Sequence, residues 1–381
     1  MIKALIEVPS ISSGLPELDM SNRPVIDLLA NWLEAEGFKV EIQTLPLQPG
    51  KANLIAVKGD PQTPGGLVLA GHTDTVPCDP ALWRHDPFKL HEDNGKLFGL
   101  GSADMKSFLA LAIEASRVFD KSTFKRPLFI VATADEETSM QGAQTLATSS
   151  LLMPSATNMR RAAIIGEPTN MKPGRMHKGV MMERISIHGR SGHSSNPALG
   201  HNALEGMHRV IGELLRFRAE LQAQYNNPFF EVPGPTLNLG HIHGGDNPNR
   251  ICGNCLLDID IRPLPGMDLD DLRTRLHSRL TGLFTGDPLH IEFASLFDGL
   301  PPMETSADAA IVKLSEQLTG IGAGAIGFGS EAPYLQQLNM DVVILGPGKI
   351  DVAHQPDEYL QAAQIQPTVE LLKAMIRKQC I

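Results

Sequence analysis

Leu67-Val-Leu-Ala-Gly-His72-Thr-Asp74-Thr-Val-Pro77 is the stretch on which the fold turns. Four consecutive apolar residues follow the Gly65-Gly66 break, too few for a helix, and Gly71 closes the run. A short run without polar alternation reads as a strand buried on both faces, and such strands occupy the middle of parallel sheets. In open α/β sheets, ligands collect outside the carboxyl ends of the strands. His72 and Asp74 stand at such an end.

The pattern recurs on either side of this stretch. Leu128-Phe-Ile-Val-Ala132 runs into Asp135-Glu136-Glu137, Ala162-Ala-Ile-Ile165 into Gly166-Glu167-Pro168, and the apolar run 341–345 is followed by His354. Leu100-Gly-Ser-Ala-Asp104 leads into a helix over 105–119, with Phe108, Leu111, Ala112 and Ala115 on its buried face. A helix over 21–37 carries Ser21 as a capping residue, Pro24 in its first turn and Gly37 at its end. Further helices are expected at 306–319 and about 360–379, and a hairpin around Gly95–Gly99. From residue 178 the character changes. Glu183–His188, Thr236–His243 and Cys255–Arg262 alternate polar with apolar residues, and helices fall at 202–224 and 268–283. That combination predicts an antiparallel sheet covered on one face. The expected architecture is an α/β, mostly parallel-sheet catalytic domain made of 1–177 and 288–381, interrupted by an α+β domain at 178–287.

Composition excludes several function classes. The formal charge is −10, and no basic run is longer than Arg160-Arg161 outside one flanking Met. Nucleic acids and anionic membranes need clustered cations, so neither is an expected partner. No apolar run approaches the roughly 20 residues of a membrane span. Met1 leads into Ile2–Ile6 without a charged and then long apolar leader, which reads as a cytoplasmic protein. Cys78, Cys252, Cys255 and Cys380 are too few and scattered for a disulfide framework. Cys252-Gly-Asn-Cys255 has no second pair and opens a strand, so its role reads as structural.

His72, Asp74, Asp104, Asp135, Glu136, Glu137, Glu167 and His354 all lie at strand ends. Carboxylates converging in one cleft repel strongly at low dielectric unless some are protonated or a cation neutralises them. Two divalent ions with one hydroxide balance the charges of Asp104, Glu137 and Glu167. The neutral imidazoles of His72 and His354 complete a nitrogen and oxygen donor set that suits zinc.

Six segments in order carry a resemblance: Gly71–Pro77, Gly99–Lys106, Ala134–Glu137, Gly166–Pro168, Arg190–Ser195 and Ala353–Glu358. In these the chain resembles the co-catalytic zinc deacylases and exopeptidases, across essentially its whole length. Gly240–Gly245, Asp260–Gly266 and His354–Leu360 are most similar to the branch that deacetylates an N-acetyl amino acid. The resemblance implies two zinc ions, with cobalt as a possible substitute, bridged by Asp104. His72 and Glu167 would complete one ion, and Glu137 and His354 the other. It implies Asp74 as the acceptor that orients the His72 imidazole, Glu136 as general base, and an inserted lid domain that makes a homodimer and lends His193 to the partner's oxyanion. Lys178, Asn249, Arg250 and Arg262 are expected to hold the substrate carboxylate. Ser330 would offer it backbone N–H groups, and Glu331 would meet a substrate ammonium. Glu136 and Glu137 are expected on an extended segment whose side chains diverge.

Other readings are weaker. Gly99-x-Gly101-x-x-Asp104 lacks the third glycine of a dinucleotide fingerprint, and no G-x-S-x-G elbow is present. His241 and His243 read as a lid or interface feature without acids nearby. Asp135 reads as a surface or hydrogen-bonding acid, Lys106 and Arg190 as structural or solvated. The rivals left are a sibling desuccinylase, aminoacylase or dipeptidase, and a non-catalytic binding protein on the same fold.

Overall fold

The computed structural model describes residues 1–153 and 160–381. Along the chain the principal strands are β1 (Lys39–Thr44), β2 (Ala52–Lys58), β3 (Leu67–His72), β4 (Leu128–Thr133), β5 (Arg161–Ile165), β6 (Val180–His188), β7 (Thr236–Gly244), β8 (Asn254–Arg262), β9 (His290–Leu300) and β10 (Met340–Ile344). The chain forms two compact units. The first comprises Met1–Arg175, Thr305–Gly324 and Ser330–Ile381, and the second Met176–Glu304 with Ala325–Gly329.

The sheet of the first unit runs β1-β2-β4-β3-β5-β10. β4, β3, β5 and β10 are mutually parallel, and β1 and β2 add an antiparallel edge. Every residue of β2, β3 and β4 is buried, as the apolar runs Leu54–Val57, Leu67–Ala70 and Leu128–Ala132 require; Asn53 and Lys58 of β2 are buried with them. Each Val, Leu or Ile so enclosed contributes roughly 1.5–3 kcal/mol relative to exposure. The register aligns Leu69 with Ile130 on one side and Ile164 on the other; β3 and β4 end level, His72 opposite Thr133, and β5 stops earlier, with Ile165 opposite Ala70. The helix Lys106–Ser116 packs on β3 and on the final helix, Ile365–Cys380. Gly166 makes that packing possible, because a Cβ there would stand 1.9 Å from a ring carbon of Phe108. Glu167 therefore leaves β5 directly beside the helix that follows Asp104.

In the second unit the order is β7-β8-β6-β9, antiparallel throughout. Ile185, Ile187, Leu257, Ile259 and Ile261 face a core shared with Val210, Leu214 and Phe217 of the helix Ala203–Gln224 and Leu272 and Leu276 of the helix Leu269–Gly282. Arg184, Ser186, His188 and Asp258 alternate with the buried positions. The return to the first unit comes at 305 and not at 288. β9 is the fourth strand of the second sheet, and its alternation at His290-Ile291-Glu292-Phe293 was the available signal. Among the described residues no helix is long and apolar enough to cross a membrane.

Candidate metal centre and active site

Past the carboxyl ends of the parallel strands of the first unit, His72 and the loop residues Asp104, Glu137 and His354 come together. The ligand atoms of His72, Asp104 and Glu137 lie within 4.8 Å of one another. Asp104 turns one carboxylate oxygen to each imidazole: Oδ1 is 3.1 Å from His72 Nε2, and Oδ2 is 3.4 Å from His354 Nε2. His354 Nε2 is also 3.1 Å from Glu137 Oε1. His354 reaches inward from a backbone with φ +58, an uncommon conformation for a side-chain-bearing residue. Glu167 is buried and couples electrostatically to Asp104, His72 and Glu137.

The donor set fits a divalent metal on its own chemistry. His72 Nδ1–H donates to the carbonyl of Asp74 at 2.9 Å, which leaves the Nε2 lone pair of a neutral ring aimed at the Asp104 carboxylate. Two lone pairs face each other only with a proton or a metal ion between them. The metal-free electrostatics show the proton alternative. Burial opposes the imidazolium of His72, but the Asp104 carboxylate and the charges of Glu136 and Glu167 outweigh it and hold its pKa well above the usual value. Asp104 and Glu137 push His354 up to about 10. Burial drives Glu136 and Glu167 well above the ordinary carboxylate range and raises Glu137. Burial acts the same way on Asp104, yet hydrogen bonds from His354 and His72 keep its pKa low. Cations would release these borrowed protons.

Around the centre, two expectations are corrected. The Asp74 carboxylate does not take the His72 N–H; its Oδ1 is 3.8 Å from Nδ1, and the Asp74 carbonyl does that work. Instead Oδ1 and Oδ2 accept the backbone N–H groups of Glu136 and Glu137 at 3.2 and 3.1 Å. Those two glutamates lie in a turn and not on an extended segment, because Asp135 adopts φ +62 and ends the strand geometry. The amides claim the carboxylate because the turn points them at it.

Sequence reasoning passed over Glu358. It is 1% exposed and accepts the N–H groups of Gly101, Ala103 and Asp104, so it holds the loop that presents Asp104. Burial pushes its carboxyl up to about 8 despite the three donors. The cue was an acid four residues after His354 in a segment otherwise read for its histidine. Lys106 is buried and structural, donating to the Val8 carbonyl at 2.7 Å and to Ser10 Oγ at 3.3 Å.

The expected substrate contacts divide. In the first unit Ser330 is buried and its hydroxyl accepts the Ala332 N–H. Glu331 is 1% exposed, and its Oε1 has no partner among the described residues. Burial pushes it up to about 7, with a Thr133 hydrogen bond opposing. In the second unit His193, Asn249 and Arg250 come together: His193 bridges Arg250 along the backbone, and the Asn249 carbonyl accepts the Ser194 N–H. His193 Nδ1 accepts the Ser195 N–H, so the neutral ring carries its proton on Nε2, free to donate. Lys178 instead donates to the carbonyls of Val232 and Gly234, and Arg262 pairs with Asp260 at 2.9 Å. Cys252 and Cys255 are buried free thiols. His241 has an acid beside it after all. A bulge between Leu239 and His241 turns its Nδ1 to 3.3 Å from Asp258.

A parallel sheet whose strand ends crowd acids and imidazoles that only protons or metal ions can reconcile defines a metal-dependent hydrolase. The chain belongs to the peptidase family M20/M25/M40, whose model matches residues 68–378. It is 48% identical over 380 residues to an acetylornithine deacetylase of Edwardsiella ictaluri, covering 100% of this chain and 97% of that one. To the acetylornithine deacetylase of Proteus mirabilis it is 47% identical over 381 residues, covering 100% and 96%. Among solved structures it is similar to an aminopeptidase from Bacillus cereus (TM-score 0.76, 17% identity, 99% and 96% coverage). A tripeptidase from Staphylococcus aureus gives a TM-score of 0.73 at 19% identity, with 99% and 97% coverage. These two likenesses establish the shared fold.

Proposed function

We infer that this chain is a metal-dependent amidohydrolase that removes the acetyl group of N2-acetylornithine, releasing acetate and ornithine, and so serves arginine biosynthesis. The mechanism is carried by Asp104, which offers one oxygen to each of two imidazoles; full-length identity near 47% to acetylornithine deacetylases narrows the substrate.

His72, Asp104 and Glu167 would hold one zinc ion, and Asp104, Glu137 and His354 the other; cobalt suits the same donors. When bound, the ions supply Lewis acidity, which polarises the acetyl carbonyl and brings a water proton within reach of a carboxylate base. Glu136 is the general base: it takes the proton of the attacking water and delivers it to the leaving amine. Asp74 serves by holding the Glu136 and Glu137 amides. His193 donates its Nε2–H to the tetrahedral oxyanion of the acetyl group, supplied from the lid of a second copy of this chain. Asn249 and Arg250 lie beside it and receive the substrate carboxylate, with Lys178, Arg262 and the Ser330 segment as further contacts. Glu331, buried with an unpartnered oxygen, receives the side-chain ammonium of ornithine.

The test is ornithine release by chelator-stripped protein titrated with zinc, with succinyl-diaminopimelate and a dipeptide in parallel. Activity returning over one to two equivalents, with acetylornithine strongly preferred, is the expected result. Turnover of only the succinyl compound keeps the mechanism and replaces the substrate. Mixing Glu136→Gln and His193→Ala chains tests the shared site. Random dimers should regain about a quarter of the parental activity, because one site of each mixed dimer is intact. No recovery removes His193 from that role. Glu331→Gln retaining the same preference for acetylornithine over neutral acetyl-amino acids removes Glu331 from substrate reading.

A further inference from the structure

Of the two readings the sequence left for Asp135, surface acid or hydrogen-bonding acid, the structure has the second. Asp135 is 1% exposed and receives four side-chain donors. Lys51 Nζ and Thr138 Oγ1 each lie 2.7 Å from Oδ1, Gln48 Nε2 lies 3.1 Å from Oδ2, and the Ser139 hydroxyl also donates to Oδ2. Its carbonyl accepts the N–H groups of Ser139 at 3.2 Å and Met140 at 2.7 Å. Lys51, 3% exposed at the entry to β2, also donates to Ser12 Oγ at 3.0 Å and Asp19 Oδ1 at 2.7 Å. The pair thus joins three distant segments of the first unit at the residue before Glu136.

Stability alone does not account for it. A buried ion pair loses most of its Coulomb energy to desolvation, and an apolar pair of equal volume is often as stable or better. What the pair does supply is direction. β4 has ended at Thr133, Asp135 is left-handed, and the next two residues are Glu136 and Glu137. The turn is therefore gripped on two sides. Asp74 holds its amides, and Lys51 holds Asp135 from behind.

We propose that Lys51 and Asp135 are positioning residues of the hydrolysis, fixing the turn that aims Glu136 at the attacking water and Glu137 at its metal ion. This rests on the reading of Glu136 as base and Glu137 as ligand. Neither Lys51 nor Asp135 is assigned to substrate or metal. A cavity of about 500 Å³ is lined by Lys51, Asp135, Asp19, Gln48, Thr138 and Ser139, which gives small amines a route to the pair.

The experiment compares Lys51→Met, Lys51→Ala, the double variant Lys51→Met/Asp135→Asn and Glu136→Gln in kcat, KM, zinc affinity of the stripped protein and Tm. A turn displaced by about 1 Å costs on the order of 100-fold, so Lys51→Met should lose about that in kcat with KM within about threefold. Zinc affinity should fall about 10-fold or more through Glu137. Ethylammonium should restore turnover to Lys51→Ala and leave the parent unchanged. The double variant leaves no uncompensated charge at the buried position 135, and Asp19, which loses Lys51 as well, is partly open to water, so its Tm should recover towards the parent while kcat stays low. Recovery of kcat together with Tm overturns the proposal, as does a folded Lys51→Met with kcat and zinc affinity within about threefold of the parent. Glu136→Gln separates the two readings: if it keeps its turnover the base assignment fails, while zinc affinity still reports whether Lys51 and Asp135 place Glu137.

Discussion

Histidines meet acids in both units, with opposite consequences. In the first unit His72 and Asp104 are buried, the ring's one N–H is taken by a carbonyl, and the remaining lone pair confronts a carboxylate. In the second, Glu292 lies 3.2 Å from His188 and 3.3 Å from His290, and Asp258 lies 3.3 Å from His241, each pair with at least one side chain well exposed to water. Water and rotamer freedom satisfy the exposed sets at little cost or gain. Nothing but a proton or a cation satisfies the buried one. Residue type and proximity are the same; burial and the direction of the lone pair make one of them a centre for chemistry.

The most severe way to break that contrast is to remove the acid both imidazoles share. Asp104→Ala should abolish detectable hydrolysis and weaken zinc binding by more than the roughly 10–100-fold typical of outer-shell partners. Equilibrium dialysis showing two ions still bound tightly would contradict the role of Asp104. Next comes Glu136→Gln, which should keep its zinc stoichiometry and lose roughly 10²–10⁴-fold in kcat. Steady-state kinetics on the fully loaded variant decide it, and near-parental turnover would remove Glu136 as base.

His177 sharpens the comparison, being a fully buried imidazole with no acid beside it. Its Nδ1–H donates to the Lys178 carbonyl, Nε2 has no partner among the described residues, and burial pushes its pKa down to about 4. The folded state then binds fewer protons than the unfolded state, whose histidine titrates near 6.5. Stability present above pH 6.5 should be lost as pH falls towards 4, by up to about 3 kcal/mol. Denaturant unfolding between pH 4.5 and 7 measures this, and His177→Leu should flatten the dependence; an unchanged slope contradicts the assignment. The smallest effects belong to the exposed sets. His241→Ala and His290→Ala should leave zinc stoichiometry unchanged and kcat within about twofold of the parent. A lost equivalent of zinc would erase the distinction between the two regions.

Much of this was legible beforehand for an identifiable reason. Continuous apolar runs such as Leu67–Ala70 and Leu128–Ala132 carry their own strand signal, and polarity changes abruptly where each run ends. His72, Asp104, Glu137 and His354 could therefore be gathered without coordinates. Glu358 and Lys51 could not, because each acts through partners more than 80 residues away, and no local periodicity marks such a bond. The Asp74 carboxylate was read towards its neighbour at i−2, whereas the turn after β4 brought it two better donors.

By itself, then, the order of residues determined the strands, their parallel company, the list of acids and imidazoles at their ends, and the family to which these belong, since all of those are written in local pattern and motif. Only the tertiary structure decided which oxygen of Asp104 faces which ring, which groups hold the glutamate turn, and which histidines remain in water. Those are matters of direction and burial, and a side chain acquires both only when segments remote in sequence close around it.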